Sequence, residues 1–167
     1  MADQNFTLTQ EYLQSIFDYK DGELYWKKLS IKNQIKVGDK AGFITSNNYR
    51  NVRLHGKKIP VHHIIFMMFY GYMPKKIDHK DNNRLNNSIE NLRIATTENN
   101  NQNALKRKDN TTGIKGVTFC KRDKLFIARI QANGTRHLIG YYKNLKEAEQ
   151  AVIEARKKHH KQFANNG

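Results

Sequence analysis

The side chains of this sequence that could do chemistry concentrate between Ile77 and Asn103, in IDHKDNNRLNNSIENLRIATTENNNQN. An Asp78-His79 pair is followed 12 residues on by Asn91, and Asn100 stands 9 residues beyond that. Hydrolysis of a phosphodiester needs a water activated near neutral pH, a cation on the phosphate and in-line geometry. An imidazole whose ordinary pKa is about 6.5 can take a proton from that water, which makes His79 the candidate base. Asp78 offers an oxygen of the kind a hard ion such as magnesium prefers, and Asn100 offers a second. Adjacent side chains of an extended segment point to opposite faces. Asp78 and His79 are therefore expected to act from different sides, one on the metal and one toward the nucleophile.

The rest of the chain supplies the charge such chemistry would need. Lys and Arg number 30 against 15 Asp and Glu in 167 residues, a formal net charge of +15. That excess attracts phosphate backbones through counterion release, so double-stranded DNA is the expected partner and binding should weaken with salt. Residues 110–167 carry twelve of the basic side chains and four of the acidic ones, which assigns this last third to binding rather than to catalysis. Cys120 is the only cysteine, which excludes an internal disulfide and a cysteine-rich zinc site. The longest apolar run, Ile64 to Tyr72, is nine residues and broken by Gly71, against the roughly 20 a membrane span requires. With no basic segment leading into an apolar run near Met1, the expectation is an intracellular protein, not secreted, with no membrane partner. No dimer surface is visible, and a monomer is expected.

The elements that must hold these groups can be read in order. Leu8, Tyr12, Leu13, Ile16 and Phe17 recur at helical spacing, with Thr7 and Gln10 as a capping box. Asp21-Gly22 forms a turn into a strand at ELYWKK, and AGFITS, YRNVRL and KKIPV read as strands joined at Asn47-Asn48 and His55-Gly56. Arg50 and Arg53 on these hairpins are candidate DNA contacts. His62 to Tyr70 is too uniformly apolar for a surface helix and is expected in the core, while LRIA reads as a short strand and residues 96–108 as a helix capped by Thr96 or Thr97. DNTTG, with its loop composition, marks a linker at 109–112. GVTFCKR, LFIARIQA and RHLIGYY then read as three strands, followed by a helix from an Asn144 cap with Leu145, Ala148, Ala151, Val152, Ala155 and His159 as its stripe. His160 and the lysines around it read as a solvated helix end. The fold class is α+β.

Residues 61–103 resemble the HNH nucleases, in the branch found in phage and intron homing endonucleases. The resemblance rests on Val61-His62-His63-Ile64, Asp78-His79-Lys80-Asp81, Asn86-Asn87, Asn91-Leu92-Arg93, Thr96 and Asn100. It implies a ββα-metal motif, two strands and a helix around one divalent ion, Mg2+ or Mn2+. It further implies that Asp78 and Asn100 bind the ion, that His79 is the general base, and that Asn91 braces the loop orienting His79. Asn100 stands where other members have His. The working environment implied is the cytoplasm or nucleoid of a bacterial host.

Residues 113–163 resemble the AP-two/ERF DNA-binding domain, small versions of which end phage homing endonucleases. The match is carried by Lys115-Gly116-Val117, Phe126 to Ile130, Leu138 to Tyr142 and the helix from Glu147-Ala148 to Ala155. That family lays a three-stranded sheet, backed by one helix, in the major groove. Strand alternation independently turns Ile127, Arg129 and Gln131 outward, with Arg136 and Leu138 on the next strand and Thr118, Cys120 and Arg122 on the first. Arg can pair with guanine and Gln with adenine there, so Lys115, Thr118, Arg122, Arg129, Gln131 and Arg136 are the candidate DNA contacts of this module. The expected organisation is hairpins at 1–60, a nuclease core at 61–108, and a binding domain at 113–167. The alternatives are a DNA-binding regulator with an inactive HNH unit and a structural RNA-binding protein.

Overall fold

The computed structural model describes residues 7–28, 35–97, 102–104, 106 and 109–166. Thr9, not Thr7, opens the first helix, α1 (Gln10–Ile16), because its hydroxyl accepts the Tyr12 N–H at 3.2 Å. Leu13 and Ile16 are the buried side of α1. The helix stops at Phe17, where an unexpected strand β1 (Phe17–Lys20) begins and pairs antiparallel with β2 (Glu23–Trp26). Phe17 belongs to both periodicities, which hid the change from helix to strand. Asp21 and Gly22 turn the hairpin with φ of 50° and 81°, the left-handed pair that a two-residue turn demands.

The second sheet has the order β3 (Phe43–Ile44), β4 (Arg50–Leu54), β5 (Lys57–Pro60), all antiparallel. Its turns fall at the expected places, with Asn48, His55 and Gly56 at positive φ. Pro60 leads into α2 (Val61–Tyr70), which ends at a left-handed Gly71 whose N–H reaches Met67 O at 2.9 Å. Seven of its residues, Val61, His62 and Ile64 through Met68, are buried, so it is the core helix its composition predicts. A two-stranded sheet of β6 (Ile77–His79) and β7 (Leu92–Ile94) follows, with a short 3-10 turn at Ile89–Asn91. One apolar cluster joins α1, both hairpins, α2, β6 and β7. Each fully buried Leu, Ile or Phe in it contributes about 1.5–3 kcal/mol.

By compactness the chain divides into Met1–Ile94 and Ala95–Gly167. This division differs from the expected linker at 109–112. Its physical basis is that Lys115 Nζ bonds Gln102 O at 2.8 Å and Asn165 Nδ2 bonds Asn103 O at 2.8 Å, which draws residues 102–104 into the second unit. The expected helix over 96–108 falls largely outside the described residues. The second unit is a meander of order β10-β9-β8, with β8 (Val117–Cys120), β9 (Leu125–Ala132) and β10 (Thr135–Tyr142). Helix α3 (Leu145–His160), capped by Asn144 on Lys146 N–H at 2.8 Å, packs on one face over Val117, Ala128, Ile130 and Ala132. Its buried row is Ala148, Val152, Arg156 and His160, spaced four apart. His160 thus replaces the expected His159 on the core side, and its Nε2 meets Gln131 O at 2.9 Å. The architecture is α+β, and no described helix is long and apolar enough to cross a membrane.

Candidate active site

Pairing of β6 with β7 sets Asp78 opposite Arg93 and His79 opposite Leu92. Alternation along β6 separates the two side chains, and each finds its own surroundings. Asp78 is buried, and Arg93 donates to its Oδ2 from Nε at 2.8 Å and from the terminal nitrogen Nη2 at 2.7 Å. A directly opposed cross-strand pair is the geometry in which such a charge-assisted grip forms. His79, equally buried, lies among Tyr49, His62 and the loop 80–88.

The loop fixes the imidazole. His79 Nε2 lies 3.1 Å from Asn87 Oδ1, and the Asn87 amide is itself set by Nδ2 donating to Leu85 O at 3.3 Å. An amide oxygen only accepts, so Nε2 carries the proton and Nδ1 is the basic nitrogen of the ring. Asn91 braces this loop: its Oδ1 accepts from Asp81 N at 3.1 Å, and its Nδ2 donates to Asp81 Oδ1 at 2.9 Å and to Asn86 O at 2.8 Å. Asp81 is the hub, taking further bonds from Asn83 N at 2.8 Å and Asn86 Nδ2 at 2.7 Å. Burial raises the Asp81 carboxyl, but the bonds from Asn86, Asn83 and Asn91 outweigh it and hold the group below its usual range.

Support arrives from far away in the chain. Tyr19 Oη accepts the Ile89 N–H at 3.2 Å. The turn at Gly22 lies so close that a Cβ there would stand 2.6 Å from Ser88 N and 3.0 Å from Asn87 C. Tyr49, just before β4, has its ring centroid 6.2 Å from that of His79 and 5.4 Å from that of His62.

Burial lowers the pKa of His79. The Asn87 bond and the carboxylates of Asp81 and Asp78 push it back up, while Arg84 adds to the lowering. The ring is therefore neutral at neutral pH, the form a base requires. His62 is driven down to about 3 by burial, then by His63 and His79. His63 is lowered by burial as well, against a bond to the Pro74 backbone. These two imidazoles are neutral parts of the wall.

A divalent ion fits what is described. Asp78 is a hard carboxylate whose Oδ2 Arg93 grips, and one or two carboxylates plus waters is the set magnesium takes. Among the described residues no three His, Cys, Asp or Glu side chains are grouped to hold a metal. Asn100, the expected second ligand, lies outside the described residues, as does Asn99.

The expected DNA contacts divide by location. Arg53 is exposed on β4, whereas Arg50 is half-buried, with Nε 3.2 Å from Glu23 Oε2. In the second unit Thr118, Arg129, Gln131 and Arg136 share the sheet face that α3 leaves open, and Gln131 stands opposite Arg136. Arg122 is not on β8. The strand ends at Cys120, and Arg122 sits in the following turn, paired with Asp123 at 2.8 Å. Lys115 turns inward, its amine on the carbonyls of Gln102, Ala104 and Asn165. Burial and the neighbouring Arg156 lower that amine to about 8.

The HNH endonuclease family model matches residues 60–102, the stretch that carries α2, the two-stranded sheet with Asp78-His79 and the asparagine-braced loop. Protein 3.8 of Escherichia phage T7 is 34% identical over 110 residues, 64% of this chain and 90% of that protein, and the chain belongs to its family. No solved structure matches the chain. Asn87, Arg93, Tyr49 and Arg84 were not singled out from sequence as functional. Asn87 and Arg93 lie inside the quoted motif and were open to view, whereas nothing local marks Tyr49.

Proposed function

We propose that this protein is a metal-dependent HNH endonuclease of the homing type, hydrolysing phosphodiester bonds in duplex DNA. The observation that carries the reading is His79 itself: a buried, neutral imidazole whose Nε2 is held by Asn87, leaving Nδ1 as the basic nitrogen. His79 takes the proton from the attacking water at Nδ1. Asn87 keeps the ring in its tautomer as charge develops, and Asp81 and Asp78 favour the imidazolium that forms. Asp78, oriented by Arg93, would hold one Mg2+ or Mn2+ together with Asn100; when bound, the ion supplies positive charge to the phosphate and the leaving 3′-oxygen. By the resemblance to HNH nucleases the ends are 5′-phosphate and 3′-hydroxyl.

The second unit contributes affinity and register. Thr118, Arg129, Gln131 and Arg136 on its open face, with Arg53 in the first unit, supply phosphate and base-edge contacts. The host setting of a phage relative suits a protein acting on DNA within a bacterial cell.

Supercoiled plasmid incubated with the protein and magnesium tests the reading, beside His79→Ala and EDTA controls. Open circles or linear DNA are expected only with the intact protein and the ion. His79→Ala should lose cleavage by at least about 100-fold and keep its DNA affinity. Equal loss of both would remove His79 as the base, and intact plasmid in every lane would favour a DNA-binding regulator.

A further inference from the structure

Arg84 projects from the middle of the loop that fixes His79, and no step above uses it. Its side chain is exposed yet anchored at two points. One terminal nitrogen, Nη1, donates to Asn47 O at 3.0 Å, and the guanidinium carbon lies 4.9 Å from the Tyr49 ring centroid. Both anchors are firm. Asn47 and Tyr49 belong to the β3–β4 turn, closed by Thr45 N on Tyr49 O at 2.8 Å and by the Thr45 hydroxyl on Asn47 Oδ1 at 2.5 Å. Tyr49 in turn packs on His62 and His79. The guanidinium is thus set over the same ring that walls the candidate base, and its charge is felt at His79.

A simple tie between two loops explains only part of this. Such a tie is served by one hydrogen bond, and here one of five N–H donors is used. No carboxylate among the described residues pairs with Arg84, while Asp81, three residues away, is spent on amides. A fixed, exposed guanidinium with unspent donors beside a base is the arrangement that takes a phosphate in a forked grip. Stacking on Tyr49 removes much of the ordering cost of that grip.

We propose that Arg84 is the residue that grips the phosphodiester at the active site, holding it against His79 and stabilising the charge that develops during cleavage. This rests on the nuclease reading above, and two measurements separate the fates of the two. The first is the salt dependence of DNA binding for the full-length protein, Arg84→Ala and Arg84→Lys, which needs no cleavage. Arg84→Ala should lower the slope of log K against log salt by about 0.9, the loss of one phosphate contact, with only the small fall in Tm that losing its tie to Asn47 and Tyr49 brings. The second is single-turnover cleavage with magnesium. Arg84→Ala should lose about 100- to 1,000-fold in rate, Arg84→Lys should recover part of it, and free guanidinium should restore some activity to Arg84→Ala. An unaltered salt slope in Arg84→Ala overturns the proposal, whether or not the protein cuts. So does a rate loss that tracks a lowered Tm and is not rescued by guanidinium. If the intact protein leaves DNA uncut while the slope still falls, the nuclease reading fails and the phosphate grip stands.

Discussion

An imidazole buried against two others is costly to protonate, and that cost shapes His62, His63 and His79 alike. For His62 the sign is clear. Its folded pKa is about 3 against an unfolded value of about 6.5, so below 6.5 the unfolded chain binds a proton that the folded one refuses. Stability is unaffected above pH 6.5 and falls as pH drops through the window toward 3, by up to about 1.4 kcal/mol per pH unit. Replacing His62 by Phe keeps a ring in the wall and removes the titration. Urea unfolding at pH 7 and pH 5 should then show a smaller acid loss in the variant than in the parent. Identical losses would place the acid sensitivity elsewhere.

The elements around the loop matter because that loop has little apolar anchorage of its own. Its shape comes from amides on Asp81, from β6–β7 pairing, and from the turn of the β1–β2 hairpin pressed against Asn87 and Ser88. Gly22 is where this contact is tightest, and it sits at φ +81°, which side chains disfavour. Gly22→Ala must both strain the turn and push back the backbone that presents Asn87. A stability loss of about 1–3 kcal/mol is expected, read as a lowered urea midpoint. Cleavage should fall further than stability explains, since the Asn87 bond to His79 is displaced. Gly38, whose Cβ would meet nothing, is the control position: Gly38→Ala shares the backbone strain and should spare cleavage.

For the molecule as a whole the net charge of +15 is what the proposed DNA partner rests on, and binding is the role proposed for the second unit. The open face of the β8–β9–β10 sheet carries Arg129 and Arg136, opposite the face that α3 covers. Converting both to Ala should reduce the salt slope of DNA binding by about 1.8 and weaken affinity, while the rate on saturating DNA stays near that of the parent. A rate loss at saturation with unchanged affinity would overturn the assignment of this face to binding. Lys115 belongs to a different account. With its amine on three carbonyls and Arg156 bonded to its own carbonyl, it locks the start of β8 to residues 102–104 and 165. Its place in the resemblance to the AP-two/ERF domain is what makes it a candidate DNA contact in the sequence.

Local patterns in the chain were enough for much of this. The turns at Asp21-Gly22, Asn47-Asn48, His55-Gly56 and Asn133-Gly134 each place at least one residue (only Asn48 in the second) in the left-handed backbone that short hairpin turns need, and apolar runs identified α2 and the second sheet. Motif spacing picked out Asp78 and His79. Helix boundaries were less legible: Thr9 displaced Thr7, and the strand at Phe17–Lys20 was absorbed into a helical pattern. What eluded the sequence has one physical cause, contact between residues distant along the chain. The partners of Asp78 and His79 follow from strand register and loop closure, and Gly22, Asn47 and Tyr49 reach the loop from 30 to 66 positions away. Burial then fixes the protonation of three histidines. Spacing could nominate the chemical groups, but only packing could show which ring nitrogen of His79 is held and by what.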